Sequence, residues 1–184
     1  MDETPDFADG ALNLDGGGEK KFILDACCSN RQMWFNKQHP NTIYIDNRKE
    51  PKGFISFSPN VDIQPDKIMD FRDLKFDNKS FKLIAWDPPH IVSNCKTGAI
   101  VKKYGALNPL TWEADLKQGF NELWRVLDDY GLLIFKWSIC KIPIKNILAL
   151  FHTQPLFGHT TGSKNTTRWM TFMKIPEESH DKPR

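Results

Sequence analysis

The sequence predicts an α/β fold with a mostly parallel β-sheet and an antiparallel last strand. Short apolar runs, each the length of a buried strand, alternate with segments of helical periodicity. This alternation is typical of βαβ units, in which a right-handed crossover joins parallel strands. Two final apolar runs flank the turn-rich segment 161–167, which predicts a hairpin that closes the sheet.

The element boundaries follow from periodicity and from turn residues. Five strands are predicted at 21–26, 42–46, 66–70, 81–87 and 132–137. The closing hairpin pairs 155–160 with 168–174. A short helix or helix end is predicted at 33–37. Helical spacing predicts a long helix from the N-cap Thr111 to about Leu127 and a helix at 143–151. A turn is predicted at 128–131, before the fifth strand.

Length and composition favour one domain at 21–174. The chain has 184 residues, of which 40% are hydrophobic, enough for a core of its own. Residues 1–20 contain six acidic side chains and three consecutive glycines, which predicts a flexible acidic tail. Residues 175–184 predict a second tail.

Charge and cysteine usage narrow the function classes. The net charge of +2 does not indicate a general polyanion binder, although a local groove can still be basic. None of the four cysteines forms a C-x-x-C pair, so we expect reduced thiols and no metal site. Without a secretory signal or a bilayer-length apolar run, we expect a soluble protein with no membrane partner, cytoplasmic or, in a eukaryote, nuclear.

Acidic side chains end four of the predicted strands: Asp25, Asp46, Asp70 and Asp87. The carboxyl ends of parallel strands share the edge of the sheet at which α/β folds bind ligands. One such aspartate is usually a capping or turn residue. Four on one edge predict a binding site.

Asp46 lies 21 positions after Asp25, the spacing at which an acidic residue accepts hydrogen bonds from ribose hydroxyls. The first strand is followed by Ala26, Cys27, Cys28, Ser29 and Asn30 instead of a G-x-G-x-x-G loop, which disfavours a dinucleotide. Because these residues are small, a nucleoside ligand can still approach closely.

Asp87-Pro88-Pro89-His90 is the sharpest motif in the sequence. A residue before proline is restricted to extended geometry, so the Asp87 carboxylate and the Pro88 carbonyl become two fixed acceptors. Two acceptors suit the two hydrogens of an exocyclic amine on a planar base. The His90 ring can stack on the base or take up a proton. A strand end without function is the alternative interpretation.

These residues resemble class I S-adenosylmethionine-dependent methyltransferases, in particular the branch that methylates amino nitrogens of bases. The resemblance covers about 21–174. Asp87-Pro88-Pro89-His90 is similar to the D-P-P-[YFW] motif, with histidine in place of the aromatic residue. Residues 122–134 are similar to the family segment that leads into the fifth strand.

The resemblance implies a Rossmann-like, three-layer fold with a seven-stranded sheet of order 3-2-1-4-5-7-6 and an antiparallel seventh strand. It also implies S-adenosylmethionine as cofactor and methylation of adenine N6 or cytosine N4 in DNA or RNA. The cofactor residues would be Asp25, Ala26, Cys27, Cys28, Asp46, Asp70 and Phe71. The catalytic residues would be Asp87, Pro88, Pro89 and His90.

Segment 91–110 follows the D-P-P motif, shows no firm periodicity and is long enough for a lid or binding loop. The residues expected to contact substrate are Lys102, Lys103, Tyr104, Lys136, Trp137 and His159. The chain has little room for an added recognition region. We therefore expect one of three cases: a short or shape-based recognition sequence, specificity supplied by a protein partner, or a single-stranded or small substrate. Small-molecule methylation and cofactor binding without catalysis remain alternatives.

Overall fold

The computed structural model describes residues 21–95, 97–161, 164 and 166–176. The acidic tail predicted at 1–20 and most of the tail predicted at 175–184 lie outside the described residues, as do three positions of the predicted hairpin turn. The strands are β1 (Ile23–Asp25), β2 (Thr42–Asp46), β3 (Lys67–Ile68), β4 (Phe81–Trp86), β5 (Leu127–Ser138), β6 (Phe157–Thr161) and β7 (Thr167–Met173). The helices are α1 (Ala99–Tyr104), α2 (Trp112–Val126) and α3 (Ile144–Leu148).

The seven strands form one sheet in the order β3-β2-β1-β4-β5-β7-β6. The pairs among β1 to β5 are parallel, whereas β7 pairs antiparallel with both β5 and β6. The predicted fold class, strand order and closing hairpin are therefore confirmed. This order brings the carboxyl ends of β1, β2 and β4 side by side, which positions the site.

The main core lies between the sheet and α2. The apolar stripe predicted for this helix is the face it buries, with Leu116, Phe120 and Leu123 fully covered. The Phe120 ring stacks on Phe151 with centroids 4.1 Å apart, and Trp86 of β4 packs against both. Burial of such large aromatic side chains stabilises this layer.

The short helix predicted at 33–37 is wrong, because the segment forms turns. Three tertiary contacts explain the difference. The Trp34 indole donates to Asp25 and packs edge-on against Tyr44, and the Arg31 guanidinium lies 3.7 Å above the Tyr44 ring. These contacts fix the loop against β1 and β2 and outweigh any local preference for helix.

The face of the sheet opposite α2 is covered by loops. Neither residues 26–41 nor residues 47–66 contain a helix, so within the described chain the third layer of the fold is built from turns. The loops bury Tyr44 but leave Leu83, Ile134 and Trp169 half-buried on the same face.

The turn predicted at 128–131 is a bulge inside a longer strand. The pairing of β5 with β4 jumps from Leu127 opposite Phe81 to Leu132 opposite Leu83. Tyr130 at the bulge has a left-handed backbone with φ of 59°, and its N–H donates to Lys174. The residues predicted as a turn thus interrupt the strand instead of preceding it.

Glu122 and Arg125 of α2 hold the segment that leads into β4. The Arg125 guanidinium donates to the carbonyls of Leu74 and Phe76 over 2.8 Å each, and Glu122 accepts from the Leu74 N–H over 3.0 Å. This clamp replaces the hydrogen bonds that a crossover helix would make internally, and it fixes the path from β3 to β4.

Candidate functional site

The carboxyl ends of the central strands open into a cavity of about 720 Å³, a size typical of small-molecule and cofactor sites. Thirteen of the predicted site residues line it: Asp25, Ala26, Cys27, Cys28, Asp46, Phe71, Asp87, Pro88, Pro89, His90, Lys102, Tyr104 and Lys136. The predicted cofactor and catalytic residues thus lie around one cavity, apart from Asp70.

Asp25 ends β1 at the floor of the cavity and is fully buried. Its Oδ2 accepts a 2.6 Å hydrogen bond from the Trp34 indole, and its Oδ1 accepts from the Cys27 N–H at 3.3 Å. Burial raises the pKa of this carboxyl to about 7, and the nearby charges of Asp87 and Asp46 act in the same direction. Asp25 therefore changes charge near neutral pH.

Asp46 ends β2 and is joined to the loop after β1. Its Oδ2 accepts from the Ser29 backbone N–H over 3.0 Å. Ser29 holds this position with a left-handed backbone, φ 45°, which is unusual outside glycine. The loop thus achieves by a strained serine the tight turn that glycine-rich loops obtain without strain.

Arg48 is a site residue that the sequence analysis missed. Its Nε and its backbone N–H both donate to Asp46 Oδ1, over 3.1 and 3.0 Å, while one guanidinium nitrogen donates to the Lys102 carbonyl over 3.0 Å. The arginine follows a strand-end aspartate by two positions, but no sequence signal pointed to its second contact, which lies 54 positions away.

The described residues of segment 91–110 line one side of the cavity, as expected of a lid or binding loop. Its base is closed by a 2.7 Å bond from the Leu107 N–H to the Ile91 carbonyl, and its tip carries α1. Gly105 turns the chain after α1 with φ 76°, and a Cβ there would lie 3.0 Å from Pro89. A glycine is therefore required where the lid meets the proline turn.

Asp87 directly follows β4 and faces the cavity with the two prolines and His90. Its Oδ2 accepts from the Lys136 ammonium over 2.5 Å. Among the described residues, Asp87 Oδ1 has no hydrogen-bond partner. Burial lowers the pKa of His90, although Asp87 opposes this shift, so the imidazole is neutral at pH 7.

Four predicted site residues do not line the cavity. Trp137 is fully buried and its indole donates to the Ile142 carbonyl, so the prediction of direct substrate contact is wrong; its ring packs 6.3 Å from the His90 ring instead. Asp70 pairs with Arg72 over 2.6 Å, outside the cavity, while its neighbour Phe71 lines it. Lys103, beside the Tyr104 ring, and exposed His159 also lie outside the cavity. Their contact with substrate stays a prediction.

Two structural searches among the described residues gave negative results. No group of three or more histidine, cysteine, aspartate or glutamate side chains there is arranged to hold a metal ion. None of the helices in that part of the chain has the length and hydrophobicity to cross a membrane.

The comparisons with known proteins identify the fold. The PH0226 protein of Pyrococcus horikoshii matches at a TM-score of 0.52 and 14% identity, over 84% of this chain and 81% of that one. A geranyl diphosphate methyltransferase solved with geranyl diphosphate and sinefungin matches at 0.52 and 10% identity, over 89% and 74%. A Leishmania major S-adenosylmethionine-dependent methyltransferase matches at 0.50 and 10%, over 86% and 66%. No family model and no curated protein matches the sequence.

The protein therefore has the fold of the class I S-adenosylmethionine-dependent methyltransferases. At these identities the likeness defines the fold alone. The activity must be argued from the residues around the cavity.

Proposed function

We propose that this protein is an S-adenosylmethionine-dependent methyltransferase acting on an exocyclic amino group of a base, adenine N6 or cytosine N4, in DNA or RNA. One observation carries the proposal. The turn from Asp87 to His90 lines the same cavity as Asp25 and Asp46. The residues expected to bind the substrate amine therefore lie close to those expected to bind the nucleoside part of the cofactor.

The donor set of the cavity fits the proposed cofactor. Asp46 suits a ribose hydroxyl, since its Oδ2 accepts only from Ser29 and has one acceptor site left, whereas both sites of Oδ1 are filled by Arg48. Buried Asp25 suits a cationic amino group, and the Phe71 ring suits an adenine face. S-adenosylmethionine bound there supplies an electrophilic methyl group.

Asp87 and the Pro88 carbonyl hold and polarise the amine. The lone pair of a base amino group is delocalised into the ring, so this nitrogen is a poor nucleophile. Two acceptors drawing on its hydrogens favour the tetrahedral, positively charged nitrogen that forms as the new carbon–nitrogen bond replaces the carbon–sulfur bond. Such interactions strengthen toward the transition state, as catalysis requires.

His90 is suited to the proton that the nitrogen loses. Its neutral ring has a basic nitrogen at pH 7 and lines the cavity beside Asp87. Water is an alternative acceptor. The ring packs against Trp137 at 78°, which favours a fixed orientation over free rotation.

Two features of the rim support a nucleic-acid substrate. The lid presents Lys102 and Lys103 in the last turn of α1, followed by a Tyr104 ring that is 42% exposed. Ammonium groups and an exposed ring suit phosphates and an unstacked base. A base in a duplex would have to be flipped out. With no large recognition region, we expect a short or shape-based preference or help from a protein partner.

A small-molecule substrate is the second candidate. The 720 Å³ cavity is of a size that takes a cofactor and a small acceptor, and one matching fold belongs to a geranyl diphosphate methyltransferase. Under this hypothesis the D-P-P turn serves as the rim of the acceptor site. A protein that only binds the cofactor would bind S-adenosylmethionine and yield no methylated product from any substrate offered.

The test is mass spectrometry of nucleosides from DNA and RNA incubated with the protein and S-adenosylmethionine, beside a small-molecule extract. We expect N6-methyladenine or N4-methylcytosine. Asp87→Ala should abolish transfer with S-adenosylhomocysteine affinity nearly unchanged, whereas Asp46→Ala should weaken that affinity about tenfold or more. Methylated product found only in the small-molecule extract would overturn the nucleic-acid proposal.

A further inference from the structure

The Lys136 ammonium is held between two side chains of the protein. On one side it donates to Asp87 Oδ2 over 2.5 Å, and on the other it lies 5.6 Å from the centre of the Trp169 ring. The lysine side chain is 28% exposed and the aspartate 23%, so the pair is partly shielded from solvent. Partial shielding reduces the screening of this pair by solvent and salt.

Strand register produces this arrangement. Trp86 of β4 lies opposite Phe135 of β5, which places the following residues, Asp87 and Lys136, at the same level of the sheet. Lys136 in turn lies opposite Trp169 of β7. The three side chains form a row across three strands on the face opposite α2.

The indole of this row is itself fixed. Trp169 Nε1 donates to Thr161 Oγ1 of β6 over 3.1 Å. The face of the ring therefore stays toward the ammonium, where the cation–π attraction favours a positive charge. Three neighbouring strands, β5, β7 and β6, contribute one residue each to the chain of contacts that ends at Asp87, the residue directly after β4.

We propose that Lys136 is a positioning residue that orients the Asp87 carboxylate, and that the Trp169 ring holds the lysine in place. The inference rests on the proposed function for its catalytic meaning, and it changes the role of Lys136 from the substrate contact expected from sequence. Because Oδ2 is engaged by the ammonium, rotation of the carboxylate is restricted and Oδ1 is left for the substrate amine.

The positive charge of Lys136 also has an electrostatic cost for the reaction. This cost favours an orienting role for the lysine over direct contact with the substrate. An ammonium next to an amine that becomes cationic opposes the reaction electrostatically. A lysine is tolerated there only if its charge is already neutralised, and the bond to Asp87 does this. The ammonium is thus committed to the protein and is a weak candidate for a substrate phosphate.

The first experiment needs no substrate. In ¹⁵N-labelled protein, the Lys136 ammonium protons should exchange slowly enough with water to be observed by NMR, since they are hydrogen-bonded and shielded. Asp87→Asn should abolish or shift this signal, and Trp169→Ala should weaken it, with Trp169→Phe closer to the native protein. A Lys136 signal unaffected by Asp87→Asn would overturn the pairing.

The second experiment measures transfer to the nucleic acid that gives product. Lys136→Met should lower kcat about 100-fold through misplacement of Asp87, with KM for nucleic acid and the Kd of S-adenosylhomocysteine within about twofold of native. Lys136→Arg should restore part of kcat. Lys82→Met is the matched control, because it removes a lysine–aspartate pair of the same β4–β5 ladder at the far end of the sheet, Lys82 with Asp128.

The outcomes separate the two proposals. An increase in KM with kcat unchanged would show that Lys136 contacts substrate. No change in either constant would show that it has no role. Both results would overturn the positioning proposal. If native protein methylates nothing offered, the proposed function fails, while the NMR comparison of Asp87→Asn still decides whether Lys136 holds Asp87. If circular dichroism shows that Lys136→Met is unfolded at the assay temperature while Lys82→Met is folded, its loss of activity would be assigned to folding and the proposal overturned.

Discussion

The Trp34 indole donates a 2.6 Å hydrogen bond to the buried carboxylate of Asp25, so a loop residue and a strand end close the cavity floor together. This bond lowers the pKa of Asp25, but burial outweighs it and raises the value from 3.8 to about 7. The Asp25 carboxyl at the cavity floor is therefore neutral below that pH and negative above it. Both stability and ligand binding then depend on pH.

The first prediction concerns stability. Between pH 4 and 7 the unfolded chain has released the Asp25 proton, whereas the folded protein retains it. The free energy of unfolding should therefore fall as pH rises through this window, by up to about 1.4 kcal/mol per pH unit from this group. Asp25→Asn should remove that part of the slope, which urea denaturation at several pH values measures. Parallel profiles for native protein and Asp25→Asn would contradict the prediction.

The same titration should appear in ligand binding. Ionised Asp25 attracts the amino group of S-adenosylhomocysteine, so calorimetry should give an affinity that falls as pH drops below about 7. The loss approaches tenfold per pH unit once the carboxyl must release a proton to bind. Asp25→Asn should bind weakly, with little pH dependence between 5 and 8. A pH-independent affinity in the native protein would contradict this.

Arg48 should hold the lid closed. It ties Asp46 to the Lys102 carbonyl, and losing a charged donor to a carbonyl costs about 1.5–3 kcal/mol. In Arg48→Lys, one ammonium cannot make both contacts, so hydrogen exchange across 91–110 should accelerate about tenfold or more. Lys102→Ala is the matched control, because its carbonyl belongs to the backbone and the contact survives. Equal exchange in native protein and Arg48→Lys would show that the lid is closed by other contacts.

Gly119 should be intolerant of alanine despite lying inside a helix. A Cβ at this position would come within 2.4 Å of the Phe71 ring and 3.3 Å of Trp86. Alanine ordinarily favours a helix by about 1 kcal/mol over glycine, but overpacking here should lower the free energy of unfolding by about 1–3 kcal/mol. Since Phe71 lines the cavity, S-adenosylhomocysteine should also bind less tightly.

Phe71→Leu added to Gly119→Ala should recover stability, because the smaller side chain relieves the clash. Exposed Asn121 on the same helix offers the control substitution Asn121→Ala, which should be nearly neutral. Thermal denaturation measures all three variants. A Gly119→Ala protein more stable than the native one would mean that helix propensity outweighs packing at this site.

Helix α2 shows where sequence reasoning succeeds. Its apolar residues recur at helical spacing over four turns, and the bounds 112–126 agree closely with those expected. Segment 33–37 shows where it fails, since the short helix or helix end expected there is outweighed by the contacts of Trp34 with Asp25 and Tyr44. A short helix has too few internal hydrogen bonds to resist such competition.

By itself the sequence determined which segments are strands, the order in which they assemble and the edge at which the aspartates meet. These features follow from local apolar patterns and from the resemblance of short motifs. Only the tertiary structure decided which charges pair: Lys136 with Asp87, 49 positions apart, and Arg48 with the Lys102 carbonyl, 54 positions apart. The physical reason is that such contacts depend on strand register and loop path, which no local pattern records.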